Sequence, residues 1–109
     1  MTTKTTTKGF TLSKDVINDM LGEINNAIPF NKNSVKITQK VIDECEDNRI
    51  PQELLGYNVT RDEEGDHRTD GQFVDYTFTF ISPKNKKTVI DTEMCLMVGW
   101  NYHRDVTFE

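Results

Sequence analysis

Few residues in this chain could do covalent or metal chemistry, and they are scattered. The histidines are His67 and His103, the cysteines Cys45 and Cys95, the serines Ser13, Ser34 and Ser82. A zinc site wants clustered Cys and His ligands, yet no H-E-x-x-H and no cysteine pair at ligand spacing occurs. Only if loops near 62–70 and 101–105 met would His67, His103, Asp66 and Asp105 converge, so no metal is expected. The acidic run D-E-E-G-D-H-R-T-D-G at 62–71 suggests a calcium loop. Such a loop needs glycine at position 6 and glutamate at position 12. Counted from Asp62, those places hold His67 and Phe73, so a solvated hairpin loop is the expectation.

Nucleophilic catalysis is equally thin. Ser13 reads as a helix cap, no G-x-S-x-G surrounds any serine, and Cys95 lies in an apolar strand. Cys45 is crowded by acids, which disfavour its thiolate. Asp91 and Glu93 alternate as carboxylates do in metal nucleases. Such sites need a further acid and usually a lysine on the same strand; Met94-Cys95 follows, so the lysine position is not filled. The chain is therefore expected to be no enzyme and to use no cofactor, with a metal-dependent hydrolase built on carboxylates and histidine as the lowest-ranked alternative.

Binding is better supported. G-W-N-Y-H-R-D at 99–105 gathers Trp, Tyr and Arg, the residue types that dominate protein-binding hot spots. Trp100 is in phase with Leu96 and Val98 and should join the core. Tyr102, His103 and Arg104 should then stand at the end of the sheet as a contact surface. The second expected contact is the acidic set Asp62, Glu63, Glu64 and Asp66. Tyr102 with Arg104 could instead stack a base or grip a phosphate, which makes a nucleotide-sequestering protein the alternative reading.

Charge supports the first of these. The net charge is −5 over 109 residues. Residues 1–42 carry six lysines and three acids, whereas residues 43–70 carry ten acids and three arginines. An acidic middle third repels nucleic-acid phosphate, so the expected partner is a protein with a basic surface, and direct nucleic-acid binding is disfavoured. No apolar run approaches the ~20 residues of a membrane helix. The first ten residues have no apolar core, so no secretory signal is expected and the cytoplasm is the expected compartment. Cys45 and Cys95, far apart in such a chain, should be reduced.

The elements that must position these groups follow from periodicity. Residues 1–9 form a polar arm, either an edge strand or disordered. Ser13 caps a helix whose apolar stripe is Val16, Ile17, Met20, Leu21, Ile24 and Ile28, ended by Pro29. A weaker second helix is expected around Ile37, Val41, Ile42 and Cys45 with Thr38 as its cap. A helical turn follows at 50–56. From Gly56 the period changes to 2. Strands are expected at 57–61, at 73–82, at 88–100 as one long central strand, and around Val106 and Phe108. The fold class is α+β: one domain over 1–109, with two N-terminal helices packed on one face of an antiparallel sheet of about four strands.

The composition has a single alanine against nine Asn, nine Lys and fourteen Thr. Such a bias goes with AT-rich coding and is frequent among small phage accessory proteins. The function expected is thus a non-enzymatic protein-binding inhibitor of a host or defence factor, acting in the host cytoplasm. An exposed edge strand would also permit a homodimer.

Overall fold

Ser13 begins the first helix as its chemistry requires. Its hydroxyl accepts the Val16 N–H at 3.4 Å while its carbonyl accepts the Ile17 N–H. In a computed structural model, which describes residues 9–63, 73–95 and 97–109, the elements run β1 (Phe10–Leu12), α1 (Lys14–Ala27), β2 (Ser34–Lys36), α2 (Gln39–Glu44), β3 (Asn58–Glu63), β4 (Phe73–Ile81), β5 (Lys87–Cys95), β6 (Gly99–Asn101) and β7 (Val106–Phe108). Two single 3-10 turns, Glu46–Asn48 and Gln52–Leu54, connect α2 to β3.

The class is α+β, as expected, but the sheet is larger. Five antiparallel strands lie in the order β2-β3-β4-β5-β6, and β1 pairs with β7 in a separate ribbon. β2 is a strand that the sequence reading missed. It precedes α2, whose six residues are shorter than the second helix expected from Ile37, Val41, Ile42 and Cys45. Thr38 does cap it, accepting the Val41 N–H at 3.2 Å. The expected long strand over 88–100 is two strands. β5 ends at Cys95, a turn at 97–98 reverses the chain, and Gly99 takes φ +87°, which favours glycine, as β6 returns along β5. Val98 is therefore 73% exposed, while Trp100 sits directly opposite Met94.

Burial alternates along the strands because side chains alternate between faces. One face carries Val59, Phe78, Phe80 and Ile90, all fully buried, together with Tyr76 and Trp100. Helix α1 covers it with Ile17, Met20, Leu21 and Ile24, each fully buried. Trp100 packs edge-on to Phe78 with ring centroids 5.5 Å apart, and its indole lies against Gly22 of the helix. Arg61 also points to this side. Its guanidinium lies over the Tyr76 ring, 5.6 Å from the centroid, and donates to Asn25 of α1.

The β1–β7 ribbon closes one end of the core. Phe10 and Phe108 pair across the two strands and stack at 5.2 Å, and Phe108 meets Phe80 edge-on. Tyr57 packs beside them and donates its hydroxyl to the Glu109 carbonyl at 3.0 Å. Burial pushes the Tyr57 phenol pKa above its ordinary value. Cys45 and Cys95 are both free. Among the described residues no helix is long and apolar enough to cross a membrane.

Candidate functional site

Among the described residues, no helix lies against the other face of the five-stranded sheet. Its composition follows from the same alternation, two residues at a time. From one end of the strands to the other, register places five rows side by side: Phe73, Cys95 and Gly99; then Asp75, Glu93 and Asn101; then Asp62, Thr77 and Asp91; then Ser34, Thr60, Thr79 and Val89; then Lys36, Asn58, Ile81 and Lys87. Charge is therefore sorted along the strands. Asp62, Asp75, Asp91 and Glu93 occupy one half, and Lys36 and Lys87 the other.

At the acidic half the surface dips into an open depression of about 620 Å³. Asp75, Thr77, Asp91, Glu93, Asn101 and His103 line it. Thr77 donates to the Asp91 carboxylate at 3.0 Å, and the Thr92 hydroxyl ties β5 to the Asn101 carbonyl at 2.8 Å. Asp75 stands directly opposite Glu93 across β4 and β5. Like charges in that relation work against a sheet. Among the described residues no three His, Cys, Asp or Glu side chains are placed to hold a metal ion.

The lysine half is held by its turn. Buried Ser82 accepts the backbone N–H groups of Lys84 and Lys86 at 3.1 and 3.0 Å, and Asn85 takes φ +66° between them. That turn at 83–86 adds two lysines to the end of the sheet already carrying Lys36 and Lys87.

The expected site residues are divided by the fold. Asp62 lies on the uncovered face. Glu63, one residue on, is exposed but points to the side of Tyr76. Glu64, Asp66 and His67 lie outside the described residues. Tyr102 is turned into the core and is only 7% exposed, so its ring serves packing. His103 and Arg104 are exposed, His103 at the rim of the acidic depression. Asp105 accepts the Lys14 N–H at 3.1 Å and so holds the first turn of α1, where the helix dipole favours a carboxylate. Most of G-W-N-Y-H-R-D is thus occupied with the fold itself.

The acids of residues 43–53 are placed differently from those on the sheet. Arg49 sits 3.5 Å from Glu23 and 3.6 Å from Glu46 and Asp47, which offsets part of that cluster. Among the sheet carboxylates, Asp91 and Glu93 stood out in the sequence only as an incomplete nuclease pair, and Asp75 did not stand out at all. Their signal was present as alternation: each falls on the polar phase of its strand. No family model, no curated protein and no solved structure matches the chain.

Proposed function

We propose that this chain is a non-enzymatic protein-binding protein whose acidic half-sheet docks on a basic surface of another protein. The observation that carries this reading is the gathering of four carboxylates, Asp62, Asp75, Asp91 and Glu93, on one half of a sheet face that no helix covers among the described residues. A paired sheet presents such charges at register-fixed spacing, so less backbone ordering opposes docking than in a loop. Complementary charge speeds encounter and sets register. Covering a basic surface that otherwise engages nucleic acid would make the chain an inhibitor of that engagement, the role expected of a small phage accessory protein. The same carboxylates repel nucleotide phosphates, which disfavours nucleotide sequestration at this depression.

The test is affinity capture from host lysate with the intact chain and with the Asp62→Asn/Asp75→Asn/Asp91→Asn/Glu93→Gln variant, each at low and high salt. A protein retained at low salt by the intact chain, released at high salt and not held by the variant is the expected result. A partner held equally by both proteins at both salts would refute docking through this face.

A further inference from the structure

The uncovered face is acidic at one end and basic at the other, and that arrangement is complementary to itself. We propose that a second copy of this chain is an occupant of the face, forming a symmetric sheet-on-sheet dimer. This inference rests on the docking reading above and adds a second occupant, which competes with the protein partner for the same face.

The row Thr60, Thr79 and Val89 is uncharged and lies between the two ends. Val89 is 53% exposed, the most apolar feature at the middle of the face. A two-fold axis can run across the strands through this row, in the plane between two facing sheets. It sets β5 of one copy over β5 of the other, antiparallel, with Val89 against Val89. Asp91 and Lys87 lie two residues to either side of Val89 on the same face. The axis therefore brings Asp91 of each copy to Lys87 of the other. An axis parallel to the strands would instead lay acids on acids, so charge selects one of the two symmetric arrangements. Such an interface is isologous, the commonest kind in soluble homo-oligomers. Two sheets with threonine and valine facing each other pack in this way at about 10 Å, crossing at about 30°.

Size sets the strength. With strands about 4.8 Å apart and about 3.3 Å per residue, β3, β4 and β5 together offer roughly 400 Å² in plan. A standard stable interface covers roughly 800 Å² per partner. The dimer is accordingly weak, salt-sensitive and dependent on concentration.

Sedimentation velocity of the whole chain over about 1 μM to 1 mM reads this directly. The expected result is a monomer–dimer equilibrium that shifts to monomer as salt rises. Asp91→Lys and Lys87→Asp should each weaken dimerisation at least ~10-fold, because each sets like charges against each other at both symmetric contacts. An equimolar mixture of the two variants should dimerise again, since every contact then joins opposite charges. Both positions are exposed, and unchanged circular dichroism would show that the variants are folded. A chain monomeric throughout, or variants that dimerise as the intact protein does, would overturn the second-copy assignment. If that monomer still captures a protein in a carboxylate-dependent way, the docking reading survives alone; if it captures none, both fall.

Discussion

The two faces of the central sheet are built from neighbouring residues and do opposite work. On β4, Phe78 and Phe80 are fully buried under α1, while Thr77 and Thr79 between them look outward. On β5, Ile90 is fully buried and Val89 beside it is half exposed. A difference of one residue in phase decides whether a side chain belongs to the core or to a surface with sorted charge. The inner face is diverse in shape and interlocks aromatic rings with a helix. The outer face is small and uncharged at its centre, with carboxylates towards one end and lysines at the other. Packing is the purpose of the first, and the second is the face proposed above for docking.

The sharpest way to test the contrast is truncation on each side of one strand. Phe78→Ala should destabilise by about 3–5 kcal/mol in urea unfolding, because a large buried ring leaves a cavity against Trp100 and α1. Thr79→Ala, the next residue, should cost about 1 kcal/mol or less. If the threonine change cost as much as the phenylalanine one, the outer face would be covered at the protein concentration used. The comparison would then have to be repeated at dilution.

Arg61 blurs the division, since it is a charged residue on the buried side. It is held there by the Tyr76 ring and by Asn25 of α1. Arg61→Met keeps the apolar stem but leaves the Asn25 oxygen without that donor, and the expected loss is about 1–3 kcal/mol. Asn25→Ala should cost almost nothing more once Arg61 is gone, because both ends of the bond are then absent. A double-mutant cycle reads this coupling. Additive losses would mean that the two residues stabilise the fold independently, and Arg61 would count as a surface residue.

Much of this was legible in sequence where the determinant is local. Ser13, the apolar stripe of α1 and Pro29 set the helix, and period-2 alternation set β4. What the sequence hid was long-range. Val98 and Trp100 share a phase with Met94, so 88–100 reads as one strand until Gly99 is seen at positive φ and β6 folds back. β2 is three residues long and too short to show a period. Asp75, Asp91 and Glu93 were each readable as polar-phase residues, but their gathering depends on the register of β4 against β5. Tyr102 shows the converse: its residue type suggested a contact, and its burial depends on a core assembled from distant segments.

The smallest predicted effect concerns the helix that makes the inner face an inner face. Gly22 lies mid-helix in α1 and meets the edge of Trp100. A glycine there costs about 0.8–1 kcal/mol relative to alanine, since it has more backbone freedom to lose on folding. Close packing could demand glycine, but an added Cβ would lie 3.5 Å from the Trp100 indole nitrogen and 3.7 Å from its neighbouring carbon, ordinary contact distances. Gly22→Ala should therefore stabilise the protein by about 0.5–1 kcal/mol, read as a raised denaturation midpoint at unchanged slope. A loss of stability would show that the helix needs to approach β6 more closely than these distances require. The tolerance to packing changes on the covered side would then be smaller still, and the contrast with the uncovered side correspondingly sharper.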